Sequence, residues 1–125
     1  IFATVDFMPT FAALSDFQSP KDRRIDGVDQ TELLFGKSKS GRENFYFHDA
    51  GIRQGKWKYL KANAHFYGFA VEDDRKKTEE LYDLETDIGE RVNLAAKYPE
   101  KVSELNALMR SVEAGDKLAP EANKR

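Results

Sequence analysis

Three side chains of this sequence, His48, Arg53 and Lys56, lie in one short stretch and carry donors suited to an anionic ligand. An imidazole can donate to an anionic oxygen or a hydroxyl whether neutral or protonated, and the guanidinium and ammonium groups add positive charge. Each also has a structural reading. His48 can be a half-buried sheet residue paired with Asp49, and Arg53 can anchor the neighbouring connector by pairing with Asp26 or Asp29, the role favoured for it.

The acidic string Asp83, Glu85, Asp87 and Glu90 invites a calcium reading. A loop of the EF-hand type needs Gly at its sixth position and a bidentate Glu at its twelfth, and counting from Asp83 these places hold Ile88 and Leu94. The string is therefore read as turn chemistry, with Asp87 and Glu90 accepting backbone N–H bonds and Asn93 closing the turn. His48, Asp49 and His65 are metal-donor types without a characteristic spacing. Asp73-Asp74 and Glu79-Glu80 flank Arg75-Lys76-Lys77 and read as a solvated turn rather than an acid/base pair. No catalytic residue and no metal ligand is assigned within the chain.

These residues need elements to position them. Asp6 is placed to cap a helix with Pro9 in its first turn, where a missing N–H is tolerated, and Phe7, Phe11 and Leu14 fall on one face. Residues 18–41 mix Pro and Gly with charge and read as connector around a short helical turn at 30–35. Period-two patterns follow in Phe45-Tyr46-Phe47-His48, Lys56-Trp57-Lys58-Tyr59-Leu60 and Glu80-Leu81-Tyr82-Asp83-Leu84, predicting three to four antiparallel strands. Gln54-Gly55 is the expected tight turn. Alternation puts Trp57 and Tyr59 on one face, read as core rather than sugar platform, and Lys56 and Lys58 on the other. A final helix is expected from near Pro99 to about Ala114, before Gly115, with Val102, Leu105, Leu108, Met109 and Val112 in one stripe.

The fold class expected is thus α+β: a small antiparallel sheet covered by a C-terminal helix and preceded by a short helix and connector. The expected segments are 1–41 (helix and connector), 42–114 (α+β subdomain) and 115–125 (mobile tail).

The bulk properties narrow the function classes. At 125 residues the chain is the size of one domain, and folding would bury roughly two thirds of its extended surface. It is 40% hydrophobic and 34% charged, too apolar for a disordered chain and too charged for a membrane protein. A net charge of -2 offers no field for nucleic acid. The absence of cysteine excludes a disulfide framework and a thiolate zinc site while leaving the compartment open. No long apolar run is present, and the opening residues, with Asp6 and Pro9 and no basic segment, are unlike a signal peptide. A chain opening without Met inside an apolar run is expected to be a piece cut at Ile1.

Six landmarks in order carry a family resemblance: Asp6 with Pro9-Thr10; Asp26-Gly27-Val28-Asp29 before Leu33-Leu34; Ile52-Arg53; Gly55-Lys56-Trp57-Lys58-Tyr59; Glu80-Leu81-Tyr82-Asp83-Leu84; and Asp87, Glu90 and Asn93-Leu94. Together they resemble the C-terminal end of formylglycine-dependent sulfatases of the alkaline-phosphatase-like superfamily. Those enzymes hydrolyse sulfate esters with a formylglycine made from the Cys or Ser of a Cys/Ser-x-Pro/Ala-x-Arg signature, beside a calcium ion. The nearest string here, Ser19-Pro20-Lys21-Asp22-Arg23, has Lys21 where Pro or Ala is needed. Two further departures are Ile88, where the family often has Pro, and the longer link over residues 61–78. That link adds Phe66, Tyr67 and Phe69, read either as cover for the sheet edge or as a rim of the pocket.

The resemblance implies a part of a sulfatase that completes the fold and one wall of the substrate pocket. Nucleophile and calcium would be supplied upstream, and the isolated chain would be inactive. The implied partners are the upstream catalytic domain of the same polypeptide and a sulfated small molecule or glycan, with self-association of the isolated piece through its first helix. His48, Arg53 and Lys56 are the substrate-binding candidates: His48 because the strand and loop matching Phe45 to Arg53 approach the active-site mouth in the family, Arg53 and Lys56 because their charge could face an anionic substrate. Neither nucleic acid nor a membrane is implied. Localisation is open, with the family pointing to the periplasm or secretion. The alternatives are a free-standing glycan- or protein-binding module and part of a related phosphate or phosphonate ester hydrolase.

Overall fold

The structure, a computed structural model, describes residues 1–18, 20, 22, 25–39, 41–62 and 78–118. The expectations for Lys21, for His65, Phe66, Tyr67 and Phe69 in the inserted link, for Asp73-Asp74 and for the end of the tail lie outside the described residues. The chain divides into two compact units, one built on Ile1–Glu43 and the other on Asn44–Lys117.

The second unit holds the sheet. Strands β1 (Asn44–Tyr46), β2 (Gly51–Gln54), β3 (Trp57–Leu60) and β4 (Glu80–Asp83) pair antiparallel in the order β1-β2-β3-β4. The register aligns Tyr46, Ile52, Tyr59 and Leu81 across the sheet, and Phe45, Arg53, Lys58 and Tyr82 in the next row. Because side chains alternate between faces, the first row packs against the long C-terminal helix and the second row faces away from it.

The helices are α1 (Phe7–Leu14), α2 (Thr31–Leu34) and α3 (Pro99–Leu118). It is α3 that covers the sheet. Val102, Leu105 and Met109 recur at helical spacing and bury against Ile52, Tyr59 and Leu81, with Leu108 and Val112 partly buried beside them. Burying each such side chain is worth about 1.5 to 3 kcal/mol before entropy is subtracted. α3 continues through Gly115, beyond the expected end at Ala114. A single Gly costs a helix only about 1 kcal/mol relative to Ala, whereas the first residue unable to continue the backbone bonding is Pro120.

Two strand expectations are corrected. β1 stops at Tyr46, and His48 lies in a 3-10 turn, His48–Ala50, with φ at 52°. The Phe47 N–H donates to the Gly51 carbonyl at 2.9 Å, closing the chain so tightly that residue 48 must adopt the left-handed region. Likewise the β2–β3 turn is Gly55-Lys56 rather than Gln54-Gly55, since Gln54 pairs with Trp57. Gly55 takes the positive φ, 55°, and Lys56 belongs to the turn instead of the strand.

The free edge of β4 is occupied by the chain that follows it. Asn93 Oδ1 accepts the Leu81 N–H at 3.1 Å, and the Leu94 N–H donates to the Leu81 carbonyl at 2.8 Å. Both backbone groups of Leu81 on that side are thereby satisfied, which blunts an edge that would otherwise pair with another strand.

In the first unit, two motifs interlock. Asp6 does not cap α1 through its side chain. Its carboxylate is buried and accepts from the Ala3 and Val28 N–H groups, both at 2.9 Å, and from Arg42. Thr10 Oγ1 donates to the Asp6 carbonyl at 2.6 Å and accepts the Gln30 N–H at 3.0 Å. Between these two ties lies Gly27, where a Cβ would stand 2.1 Å from the Val5 carbonyl oxygen and 2.8 Å from Pro9 Cγ. The Asp6-x-x-Pro9-Thr10 string therefore grips the Asp26-Gly27-Val28-Asp29 string residue against residue.

Candidate functional site

The three candidate donors are distributed along β2 rather than gathered in one cavity. His48 precedes the strand, Arg53 is within it and Lys56 follows it. At ~3.3 Å per residue, the strand alone separates its two ends by roughly 10 Å. His48 is exposed on the left-handed tip of its turn, stacked with Tyr46 at a centroid distance of 6.4 Å. Tyr46 in turn donates from its hydroxyl to Glu113 of α3 at 3.0 Å. The turn thus presents the imidazole from a backbone fixed on both sides.

Arg53 is held within its own hairpin. Its Nε donates to the Gly55 carbonyl at 3.0 Å, which fixes the guanidinium plane at the hairpin. Anchoring of the connector falls instead to Arg42, which donates to Asp6 and, at 2.7 Å, to the Asp26 carbonyl. No local pattern around Arg42 marks this role, because its carboxylate partner is 36 positions away.

Lys56 donates to Asp83 Oδ2 at 2.7 Å and has Glu85 at 3.9 Å. The hydrogen bond to Asp83 raises the Lys56 pKa above its ordinary value, and the same bond lowers that of Asp83. On the outer face Lys58 makes a two-oxygen contact with Glu90, 2.7 Å to each, and lies 5.5 Å from the Phe47 ring centroid. Glu90 was expected to accept backbone N–H bonds. It reaches Lys58 instead because its left-handed backbone, φ 53°, turns the side chain back onto the sheet.

The remaining acidic residues are committed as turn chemistry requires. Asp87 Oδ2 accepts the Arg91 and Val92 N–H groups at 2.7 and 2.8 Å, and Asp83 Oδ1 accepts the Glu85 N–H at 3.1 Å. Asn93 also donates to the Glu79 carbonyl at 3.0 Å and accepts the Ala95 N–H at 2.9 Å. Carboxylates spent on lysines and amides are unsuited to a calcium cradle, and no three potential metal ligands converge among the described residues. The residues described do not fit a calcium site.

Tyr59 is buried with its hydroxyl donating to Glu79 at 2.5 Å. Burial first, and the Glu79 bond second, push its pKa well above the usual phenol range, so it remains a hydrogen-bond donor. Glu79 also borders an open groove of about 410 Å³ against the first turns of α3, which none of His48, Arg53 and Lys56 lines. Among the described residues no helix is long and apolar enough to cross a membrane.

No family model matches the chain. An N-acetylgalactosamine-6-O-sulfatase of Bacteroides thetaiotaomicron is 32% identical over 119 residues, which cover 90% of this chain and 23% of that protein. Among solved structures, a protein studied in the metabolism of multiple glycosaminoglycans by Bacteroides thetaiotaomicron superposes with a TM-score of 0.69 at 28% identity, over 87% of this chain and 24% of its own. A second, solved in complex with its substrate D-glucosamine-2-N,6-O-disulfate, superposes with a TM-score of 0.58 at 25% identity, over 94% of this chain and 25% of its own. The chain spans about a quarter of the length of these relatives. Matched over most of its length by sulfatases, and carrying their ordered landmarks on the same fold, the chain belongs to the sulfatase family.

Proposed function

We propose that the chain is the C-terminal subdomain of a sulfatase that hydrolyses sulfate esters of saccharides, completing that enzyme's fold and one wall of its pocket. The match to the N-acetylgalactosamine-6-O-sulfatase over 90% of the chain carries this reading. A neighbour holding a disulfated glucosamine supports the saccharide class. Formylglycine and calcium would belong to the remainder of the polypeptide, consistent with the commitment of Asp83, Asp87 and Glu90 to other partners. On this reading residues 1–41 are continuous with the catalytic domain, and 42–114 form the subdomain.

His48 is the pocket contact in this proposal. Its imidazole donates to a sulfate oxygen or a sugar hydroxyl, from a strained turn held by Phe47 and Gly51. Arg53 and Lys56, at the other end of β2, face an anionic part of the substrate.

Sulfate release tests the proposal. The full-length protein is expected to release inorganic sulfate from sulfated N-acetylhexosamines, and the 125-residue chain alone to release none. Turnover of phosphate or phosphonate esters without turnover of sulfate esters would replace the sulfatase reading with that of a related hydrolase.

A further inference from the structure

A fixed turn does not by itself aim the side chain it carries. The Phe47 N–H to Gly51 carbonyl bond and the Ala50 N–H to Phe47 carbonyl bond, 2.9 and 3.1 Å, hold the backbone around His48. The exposed imidazole can still rotate about its own side-chain bonds. Tyr46 limits that rotation. Its ring lies 6.4 Å from the imidazole, centroid to centroid, and 23° from parallel, within the range of an offset stack. An imidazole carries both nitrogens in its ring plane, so a neighbour against one face does not compete for their hydrogen bonds.

Tyr46 is itself held from two directions. It pairs with the fully buried Ile52 across the sheet and packs against the cluster that Ile52 forms with Tyr59, Leu81 and α3. Its hydroxyl donates to Glu113 Oε1 at 3.0 Å. Glu113 stands four positions after Met109 and eight after Leu105, on the same stripe that α3 turns to the sheet. A half-buried carboxylate there interrupts an apolar run, and the Tyr46 hydroxyl gives it a hydrogen-bond partner. One continuous path of contacts thus runs from α3 through the Tyr46 ring to His48.

We propose that Tyr46 is a positioning residue for His48, and that α3, acting through Glu113, sets the direction in which the imidazole points. The inference rests on the assignment of His48 as the pocket contact and deepens it. An imidazole ordered when the protein folds loses less freedom when a sulfate oxygen or sugar hydroxyl binds, so the substrate meets a donor already aimed. The last helix, remote from the pocket in sequence, then contributes to affinity as well as to stability.

The rotamer of His48 is the direct readout. In the 125-residue chain it is followed by three-bond couplings about the His48 Cα–Cβ bond, with circular dichroism as the folding control. A single rotamer is expected in the parent and in Glu113→Gln, which keeps an oxygen acceptor for the hydroxyl. Averaging over rotamers is expected in Tyr46→Leu and in the milder Glu113→Ala, at a half-buried helix position where Ala suits the backbone. In the full-length protein these two changes should raise KM for a sulfated N-acetylhexosamine about threefold to tenfold with kcat nearly constant, because a restrained donor favours the bound ground state and the transition state alike. In a His48→Asn background they should add nothing further. The positioning role is overturned by an averaged rotamer in the folded parent, by a rotamer that ignores both Tyr46→Leu and Glu113→Ala, or by an undiminished rise in KM when His48 is already Asn. If His48→Asn lowers kcat/KM while the rotamer ignores Tyr46 and Glu113, the positioning alone fails. If the rotamer follows Tyr46 and Glu113 while His48→Asn leaves kcat/KM unaltered, the pocket assignment is what fails.

Discussion

Asp6 and Arg42 meet in a buried two-point ion pair, Nη2 to Oδ1 at 2.5 Å and Nε to Oδ2 at 3.3 Å, that ties the start of the first helix to the end of the connector. Burial by itself pushes the Asp6 carboxyl up. The hydrogen bond from Arg42, the Val28 and Ala3 amides and the Arg42 charge together outweigh it and bring the pKa from 3.8 to about 2. A depressed carboxylate pKa stabilises the fold above its unfolded value, and that contribution is lost as pH falls through the folded one. The pair should therefore contribute up to about 2 kcal/mol at neutral pH, fully present above about pH 4 and gone below about pH 2. In urea unfolding across the acid range, Asp6→Asn should be less stable than the parent near neutrality, and the gap should narrow as pH falls through this window. A gap independent of pH would show that the charge is not what the site uses.

Leu105 is fully buried at the centre of the helix–sheet contact, against Ile52, Tyr59 and Leu81. Leu105→Ala should cost about 2 to 5 kcal/mol of stability through lost burial and the cavity left behind. Denaturant unfolding measures this directly, and a loss well under 1 kcal/mol would mean that α3 does not hold the sheet in solution.

Asn93 satisfies the Leu81 N–H, the Ala95 N–H and the Glu79 carbonyl from one side chain. Asn93→Ala should cost about 1 to 3 kcal/mol by leaving these groups unpaired at the sheet edge. Amide hydrogen exchange at Leu81 should accelerate in the same variant. Unchanged exchange would show that the edge is protected by other means.

Phe7 and Phe11 stack at 5.5 Å on α1 and are 44% and 58% exposed. With Phe2 edge-on to Phe7, they form an apolar patch on a short amphipathic helix. The isolated chain should self-associate and bind an environment-sensitive dye, and a Phe7→Ser, Phe11→Ser variant should do both markedly less. A parent chain that stays monomeric and dye-silent in light scattering and fluorescence counts against exposure of this face.

His48 tests the pocket assignment without unfolding the turn, because Asn tolerates the left-handed backbone that a β-branched residue resists. In the full-length protein, His48→Asn should lower kcat/KM for a sulfated sugar about tenfold while leaving the melting temperature unchanged. Unaltered kcat/KM would reduce His48 to a turn residue.

The local features of this chain could be read from its sequence. The stripe from Val102 to Val112, the alternation of Trp57 and Tyr59 against Lys58 and the positive φ at Gly55 each depend on neighbours a few positions away, so periodicity and turn chemistry suffice. The family landmarks were legible for a related reason. Asp6, Pro9, Thr10 and Gly27 serve a contact so close that a Cβ at Gly27 would meet the Val5 carbonyl oxygen, and such a contact tolerates few residue types. The tertiary structure alone decided who pairs with whom across distance. It gave Asp6 to Arg42 rather than to the α1 amides, Glu90 to Lys58 rather than to a turn, and Lys56 to Asp83, 27 positions on. It also moved His48 out of its expected strand and onto a strained tip. A charged side chain several bonds long can reach many partners, and its choice depends on the register and burial that the assembled backbone provides rather than on the residues beside it in the chain.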